Sequence, residues 1–187
     1  VVDFKNVKPT PIKNIEQVLK DKFVVFSMSQ WIPRKGFDKL VEAYNMEFGK
    51  QEDTVLVIKT YLNVMHDFLE QIPLEKQAQH IGSQISQIKS KVFLPETKES
   101  KAKIALICDL LPSENISWLY DQADLFALMT RGEGFGLTVA EAIDKKKPVM
   151  VPKASAYLDF TNEESSFYVD GFWEPCHSSP ELHSDLD

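Results

Sequence analysis

Residues 124–143 read Asp-Leu-Phe-Ala-Leu-Met-Thr-Arg-Gly-Glu-Gly-Phe-Gly-Leu-Thr-Val-Ala-Glu-Ala-Ile, and this segment gives the clearest indication of the fold class. Its first six residues have the apolar composition of a buried strand, and Leu137, Ala140 and Ile143 recur at the spacing of a helix face. The glycine cluster between them (residues 132–136) holds three of the seven glycines in the chain. A strand that leads through such a loop into a helix is the first half of a βαβ unit, which predicts a parallel sheet.

The rest of the chain repeats this alternation of apolar runs and helical periodicity. Further strands are predicted at residues 22–28, 54–58, 103–108, 148–151 and 167–169, and helices at 15–19, 37–48, 62–92 with an interruption at Pro73, and 113–120. We therefore predict an α/β fold, a Rossmann-like parallel sheet with helices on both faces. In such a sheet, ligands bind beyond the carboxyl ends of the strands, where the strand order reverses.

Length and composition indicate the domain organisation. The chain has 187 residues, of which 43% are hydrophobic and 26% charged, as in globular domains that bury their own core. Prolines among scattered polar residues mark residues 1–20 as an interdomain lead-in. We expect the α/β domain at residues 21–172 and a polar C-terminal tail at residues 173–187.

Charge and composition exclude several classes of protein. The net charge of −7 argues against non-specific nucleic-acid binding, because that binding needs a basic surface. No apolar run is long enough to span a bilayer, and no charged-then-apolar segment opens the chain, so we expect neither a transmembrane segment nor an export signal. The two cysteines and four histidines show no zinc-ligand spacing. We expect a cytoplasmic protein with Cys108 buried in a strand.

The glycine cluster has the features of an anion-binding site. The N–H groups at the predicted helix start, from Gly136 to Thr138, and the dipole of the helix both favour a phosphate. Arg131 adds a fixed positive charge, and the Thr138 hydroxyl adds a further donor. The spacing matches neither a Walker loop nor the dinucleotide-binding fingerprint.

Two glutamates distinguish this loop from a plain phosphate site. Glu133 lies in the loop, and Glu141 lies about one turn into the helix. A carboxylate accepts two hydrogen bonds from a vicinal diol, and beside a diphosphate such diols belong to a ribose on one side and a sugar ring on the other. The alternative is that both glutamates are solvated acids that stabilise the helix N-terminus.

A second basic loop, Pro33-Arg34-Lys35-Gly36, follows the first predicted strand and precedes a helix. Since loops at the carboxyl ends of neighbouring strands open on the same crevice, we expect its cations to face the glycine cluster. The alternative is a solvated turn, because proline and glycine with basic residues are common on surfaces. Residues 155–164, after the fifth strand, are either a rim of this crevice or a plain surface loop.

Two segments resemble the retaining glycosyltransferases of family 4 in the GT-B superfamily, specifically their C-terminal, donor-binding half. Residues 26–44, Phe-Ser-Met-Ser-Gln-Trp-Ile-Pro-Arg-Lys-Gly-Phe-Asp-Lys-Leu-Val-Glu-Ala-Tyr, are similar to the family's first strand, phosphate loop and helix. Residues 131–142 are similar to its signature, in which seven residues separate two glutamates. Residues 120–126 and 147–151 resemble the flanking segments, so the resemblance covers about residues 22–172.

The resemblance implies a role for individual residues. Lys35 contacts the donor diphosphate and Glu133 the hydroxyls of the transferred sugar, and these two are the implied catalytic residues, while Glu141 holds the ribose. The other implied substrate-binding residues are Gly134, Phe135, Gly136, Leu137 and Thr138 around the helix start, Asp109 and Leu111 beside the base, and Arg34 and Arg131. Where many members have a Gly-Arg pair, this chain has Ser29-Gln30, so Arg34 or Arg131 is a candidate for the missing charge.

The resemblance also implies an activity, the transfer of a hexose from a UDP- or GDP-sugar with retention at the anomeric carbon, in polysaccharide biosynthesis. No Asp-x-Asp follows a predicted strand, so we expect no catalytic metal, and no cofactor besides the donor as co-substrate. The family needs an N-terminal acceptor-binding domain, so this chain is expected to bind the donor without transferring it. The alternatives are a GT-B-like epimerase or phosphorylase half and a non-catalytic nucleotide-sugar-binding module. Peripheral attachment of the full-length protein to a membrane stays open.

Overall fold

The apolar runs in the sequence form the strands of one parallel sheet. The structure is a computed structural model that describes residues 4–51, 53–62, 73–92 and 101–172. Its strands are β1 (Phe23–Met28), β2 (Thr54–Lys59), β3 (Lys103–Ile107), β4 (Leu125–Ala127), β5 (Val149–Pro152) and β6 (Ser166–Val169). They lie in the order β3-β2-β1-β4-β5-β6, and all neighbouring pairs are parallel. The predicted Rossmann-like fold is confirmed.

Helices connect these strands at the positions that the periodicity indicates. They are α1 (Lys13–Leu19), α2 (Phe37–Phe48), α3 (Leu74–Lys91), α4 (Ser113–Gln122) and α5 (Leu137–Asp144), with short 3₁₀ turns at Phe4–Asn6, Pro33–Lys35 and Ala156–Asp159. Pro73 directly precedes α3, where the predicted helical region was interrupted. The predicted helical residues 63–72 and the predicted tail at 173–187 lie outside the described residues.

The sheet is buried on both faces. Successive side chains of a strand point to opposite faces, so Phe26 of β1 enters one apolar cluster and Val25 enters the other. The first cluster packs against α1, α4 and α5, and the second against α2 and α3. Helices therefore cover both faces, as predicted, and Cys108 is buried in the second cluster.

The predicted lead-in packs against α4. Phe4 is buried, and its ring centroid lies 5.7 Å from that of Tyr120. The Thr10 N–H donates to the Glu114 carbonyl (3.1 Å), and Asn115 Nδ2 donates to the Thr10 carbonyl (2.8 Å). Residues 4–20 therefore contribute to the same core as α4, while the domain limits themselves stay a prediction.

The strand order reverses between β1 and β4. β2 and β3 extend the sheet on one side of β1, whereas β4, β5 and β6 extend it on the other. The loops after β1 and β4 leave neighbouring parallel strands and diverge to opposite faces, which opens a crevice between them. These loops carry residues 33–36 and the glycine cluster.

The buried side of α5 differs from the prediction. Val139, Glu141 and Ala142 are buried, whereas Leu137 is 48% exposed. Leu137 begins the helix at the open edge of the sheet, so its side chain faces the crevice instead of the core. The predicted apolar face was therefore wrong at Leu137, because periodicity alone does not show on which side of a helix the sheet lies.

Candidate functional site

A crevice of about 410 Å³ opens at the strand reversal, where the sequence predicts a ligand site. The ends of β1 and β2, the loops after β3 and β4, and the start of α5 contribute to it. Its lining consists of Met28, Ser29, Gln30, Lys35, Lys59, Tyr61, Leu111, Ile116, Glu133, Gly136, Leu137 and Thr138. Predicted site residues from separate parts of the chain therefore meet in one place.

Most of the predicted residues lie in this crevice or beside it. Those that line it are Lys35, Leu111, Glu133, Gly136, Leu137 and Thr138. Arg34 Nη1 is 3.9 Å from the Glu133 carboxylate, and Gly134 and Phe135 continue the same loop toward α5. The structure places Asp109, Arg131 and Glu141 outside the lining.

Lys35 and Glu133 form the ionic centre of the crevice. Lys35 Nζ lies 2.5 Å from Glu133 Oε2, and the two side chains are only 11% and 14% exposed. Because water is largely excluded, their attraction is screened less than that of a surface ion pair. A positive charge from one loop and a hydrogen-bond acceptor from the other therefore face the same space.

Hydrogen bonds hold the two loops together. The Arg131 N–H donates to the Arg34 carbonyl (2.7 Å), and the Thr130 hydroxyl donates to the same oxygen (3.0 Å). In return, Arg34 Nη1 donates to the Gly132 carbonyl (2.6 Å). The position of Lys35 relative to Glu133 is therefore fixed by the backbone of both loops as well as by the ion pair.

Gly36 allows the two loops to approach. Its φ of 67° is in the left-handed region, and a Cβ at this position would stand 1.7 Å from the Met129 carbonyl oxygen. Gly132 and Gly134 differ, because a Cβ on either would meet nothing within 4 Å. Packing within the protein requires the glycine at position 36, whereas at 132 and 134 the missing side chains leave open space.

The segment after β5 supports the glycine cluster from behind. The Glu133 N–H donates to Ser155 Oγ (3.2 Å), and Tyr157 Cδ1 lies 3.1 Å from where a Cβ would stand on Gly136. Burial and the negative charge of Glu133 raise the pKa of Tyr157 to about 12, so its phenol is neutral at pH 7. Of the two interpretations of residues 155–164, these contacts favour the one that places the segment at the crevice.

Glu141 is buried beneath the start of α5. It is 5% exposed, and the Tyr120 hydroxyl lies 3.0 Å from both its Oε2 and the Thr138 carbonyl oxygen. Burial and the charge of Glu141 hold the pKa of Tyr120 well above its usual value, so this hydroxyl keeps its proton and donates it. The alternative that Glu141 is a solvated acid is therefore wrong. Tyr120 begins a segment that resembles the family, but the sequence pattern had indicated no role for it in the site.

The structure does not bring Arg131 to the crevice. Its guanidinium forms two hydrogen bonds with the Asp38 carboxylate (2.9 and 2.7 Å) at the start of α2 and donates to the Pro33 carbonyl. Burial raises the pKa of Asp38, but the hydrogen bond and charge of Arg131 outweigh it, and the pKa lies below its usual value. Arg131 lines a separate cavity with Trp31 and Phe37. As a candidate for the charge missing at the anion site, it is therefore not supported.

Lys59 lines the crevice, although neither of the two sequence motifs includes it. It is the last residue of β2 and is 6% exposed. Burial lowers the pKa of Lys59, and the negative charge of Asp109 opposes this shift. The predicted strand stopped at Ile58, and a lysine that follows an apolar run is usually solvated. Asp109 itself is exposed, whereas Leu111 in the same loop lines the crevice.

Comparison with known protein families gives a match over most of the chain. The model of the family described as "Glycosyl transferases group 1" matches residues 10–187, which include both loops of the crevice. The chain belongs to the group 1 glycosyltransferases. The resemblance to GT-B glycosyltransferases is confirmed at this level, while family 4 stays a prediction. A comparison with curated proteins finds no match.

Solved structures of glycosyltransferases share the fold. The C-terminal domain of the group 1 glycosyl transferase LpcC from Francisella tularensis has 19% identity and a TM-score of 0.64, over 91% of this chain and 80% of that chain. The UDP-forming α,α-trehalose-phosphate synthase from Burkholderia xenovorans in complex with glucose-6-phosphate has 9% identity and a TM-score of 0.62, over 85% of this chain and 35% of that chain. The E. coli trehalose-6-phosphate structure bound with UDP-2-fluoro glucose has 12% identity and a TM-score of 0.58, over 81% of this chain and 34% of that chain.

This chain spans about a third of the length of the OtsA and trehalose-phosphate synthase chains that it matches. At these identities the likeness concerns the fold. Within the described part of the chain, no helix combines the length and hydrophobicity that crossing a bilayer requires.

Proposed function

We propose that this chain binds the nucleotide-sugar donor of a glycosyltransferase in the crevice between β1 and β4. The observation that carries the proposal is the meeting of Lys35 and Glu133, 2.5 Å apart, beside the N-terminus of α5. A diphosphate needs positive charge and N–H donors, and a sugar needs hydrogen-bond acceptors, and this crevice offers both. The similar E. coli structure with bound UDP-2-fluoro glucose supports the proposal.

Lys35 and the start of α5 are proposed to hold the diphosphate. The first N–H groups of a helix have no acceptor within the helix, and Gly136 precedes α5 without a side-chain cap. The N–H groups of Leu137 and Thr138, and those of Gly134 and Phe135 before them, are therefore proposed donors to phosphate and sugar oxygens. The dipole of α5 favours negative charge at the same place.

Donor binding is proposed to exchange the partners of Lys35 and Glu133. Without a donor, the two charges neutralise each other. When the diphosphate enters, Lys35 Nζ turns to a phosphate oxygen, and Glu133 accepts a hydrogen bond from the transferred sugar. Lys35 then has an anionic partner, and the Glu133 carboxylate keeps a hydrogen-bond donor. Lys35 then stabilises the negative charge that develops on the diphosphate as the bond to the sugar breaks.

The finer assignments rest on the resemblance. We propose retaining transfer of a hexose from a UDP- or GDP-sugar, independent of a metal or further cofactor, in polysaccharide biosynthesis in the cytoplasm. An N-terminal acceptor-binding domain would supply the remaining catalytic groups, so the chain alone is expected to bind the donor without turnover. Transfer by a full-length protein would separate this function from that of a non-catalytic nucleotide-sugar-binding module.

Glu133→Gln is expected to separate affinity for the sugar from affinity for the nucleotide. Removing the carboxylate charge frees Lys35, so UDP is expected to bind about tenfold more tightly. The ratio by which UDP-glucose binds more tightly than UDP is expected to fall about tenfold, because the acceptor for the sugar hydroxyls loses its charge. Calorimetric titration of both proteins with UDP and UDP-glucose measures the two changes.

A matched control for this variant is Glu42→Gln, which removes an exposed carboxylate that pairs with Lys39 on α2 (3.1 Å). It is expected to leave both affinities unchanged. If the unchanged protein gives no heat with UDP, GDP or their sugars at millimolar concentration, the proposed function is wrong. Equal losses of UDP and UDP-glucose affinity in Glu133→Gln would contradict the role of Glu133 in sugar binding.

Glu141 is proposed to hold the ribose of the donor, with Tyr120 as the residue that positions its carboxylate. Tyr120→Phe is expected to lower the free energy of unfolding by about 1–2 kcal/mol, because a hydrogen bond to a charged group is lost. UDP is expected to bind about three- to tenfold more weakly as Glu141 loses its orientation. Urea unfolding and calorimetric titration measure the two effects.

Tyr44→Phe is the matched control for Tyr120→Phe. It removes another buried hydroxyl, which bonds to Thr54 Oγ1 (3.1 Å) at the second apolar cluster. This variant is expected to lose stability but keep its affinity for UDP. Tyr120→Phe with unchanged UDP affinity would argue against the positioning role.

A further inference from the structure

A buried lysine lies in the same crevice as Lys35, and within the described part of the chain no carboxylate forms an ion pair with it. Lys59 ends β2 and is in register with Met28 of the neighbouring strand β1. It is 6% exposed, and its Nζ lies 3.5 Å from the Thr60 carbonyl oxygen and 5.8 Å from the centroid of the Tyr61 ring. Among the described residues, no carboxylate oxygen lies within 4.0 Å of this Nζ.

The stability of the fold does not account for this lysine. Burial withdraws water from the ammonium group, which disfavours the charged form and lowers the pKa of Lys59. One contact of 3.5 Å, at the limit of a hydrogen bond, does not replace the water molecules that an exposed ammonium binds. An apolar side chain of similar length would pack here without that desolvation. The lysine therefore indicates a ligand.

The charges of the lining indicate that this ligand is an anion. Among the described residues that line the crevice, Lys35 and Glu133 offset each other, so the net charge of +1 comes from Lys59. Arg34 and Arg131 both donate hydrogen bonds to the protein and lie outside the lining. Without Lys59 the charges of these described lining residues would sum to zero, whereas a nucleotide diphosphate carries negative charge on each phosphate.

The position of Lys59 indicates which phosphate it meets. In the sheet, β2 lies between β3 and β1, so Lys59 stands between the loop that carries Leu111 and the loop that carries Lys35. A donor with its base beside Leu111 and its diphosphate beside Lys35 would bring the phosphate that carries the nucleoside to Lys59.

We propose that Lys59 binds the nucleoside-side phosphate of the donor, as a second cation beside Lys35. This inference rests on the proposed function, because it requires a nucleotide diphosphate in the crevice. Many family members have an arginine where this chain has Gln30, and Lys59 then supplies the positive charge that Gln30 lacks. Lys59 belongs to β2, a strand that neither sequence motif includes.

Lys59→Met tests the inference, because methionine keeps much of the side-chain length and removes the charge. The variant is expected to bind UDP about ten- to a hundredfold more weakly in calorimetric titration. Uridine, which has no phosphate, is expected to bind both proteins equally in ligand-observed NMR. The melting temperature is expected to stay the same or rise. Lys39→Met, which removes an exposed lysine from α2, controls for the change in net charge and is expected to bind UDP normally.

Each other outcome has a distinct meaning. If the unchanged protein binds neither UDP nor GDP at millimolar concentration, the proposed function fails and this inference falls with it. If the unchanged protein binds UDP and Lys59→Met binds it equally well, this inference alone is overturned. Weaker uridine binding by the variant would place Lys59 at the base or ribose, and a lower melting temperature would give it a structural role. Either result contradicts a phosphate site.

Discussion

Gly36→Ala is expected to lower the free energy of unfolding by about 2–5 kcal/mol, a large part of the stability of a domain of this size. The added Cβ would stand 1.7 Å from the carbonyl oxygen of Met129 and 2.7 Å from its carbon, so one of the two loops must move. Alanine also disfavours the φ of 67° at this position. Urea unfolding followed by the fluorescence of Trp31 and Trp118 measures the loss.

Gly134→Ala is the control, because a Cβ there would meet nothing within 4 Å. Its free energy of unfolding is expected to change by less than about 0.5 kcal/mol. Since the backbone at Gly134 is proposed to approach the donor, the added methyl group is expected to weaken UDP-glucose binding. Gly36→Ala with unchanged stability would show that the two loops do not need their close contact.

Lys35→Met is expected to bind UDP-glucose more weakly by about 2–5 kcal/mol, which amounts to roughly thirty- to several-thousandfold. The variant loses the cation and leaves Glu133, 14% exposed, facing the crevice without it. Repulsion between this carboxylate and the diphosphate adds to the lost attraction. Calorimetric titration with UDP-glucose at millimolar concentration detects the change.

A double variant separates the structural role of Lys35 from its role in binding. Lys35→Met alone is expected to be less stable by about 1–3 kcal/mol, because a mostly buried carboxylate loses its nearer cationic partner and keeps only Arg34 at 3.9 Å. Adding Glu133→Gln is expected to restore most of this stability without restoring the affinity for UDP-glucose. If the double variant binds UDP-glucose as the unchanged protein does, Lys35 serves to neutralise Glu133 and does not bind the diphosphate.

The strands of the sheet were predictable because local composition is enough for a strand buried on both faces. All six residues of β2 are buried, so its apolar run needed no information from the rest of the chain. The buried face of α5 was harder to predict, since it includes Glu141, whose partner Tyr120 belongs to another helix. A charged residue on a buried face breaks the apolar periodicity from which helix faces are inferred.

The site was predictable where its residues lie in continuous motifs, as Lys35 and Glu133 do. For Arg131 and Lys59, the motifs do not show where the side chain lies in the folded protein. The direction of the Arg131 side chain depends on Asp38, 93 positions away in the chain, and the place of Lys59 in the crevice depends on β2 lying beside β1. Neither partner is visible in the local sequence. An arginine in the motif therefore points away from the crevice, while a lysine outside both motifs lines it.

The hydrogen bonds between the two loops can form only where β1 and β4 lie side by side, so the crevice requires both halves of the sheet. Arg34 and the Gly132 carbonyl are 98 positions apart, and the pairing of β4 with β1 brings them together. A partly folded chain with only β1, β2 and β3 in place has no crevice, so a ligand of the crevice stabilises the completed sheet alone. At a concentration about a hundred times its Kd, such a ligand raises the free energy of unfolding by about 2.7 kcal/mol. If the proposed function is correct, the nucleotide sugar that binds most tightly raises the melting temperature most at a given concentration, so the donor can be identified before any acceptor is known.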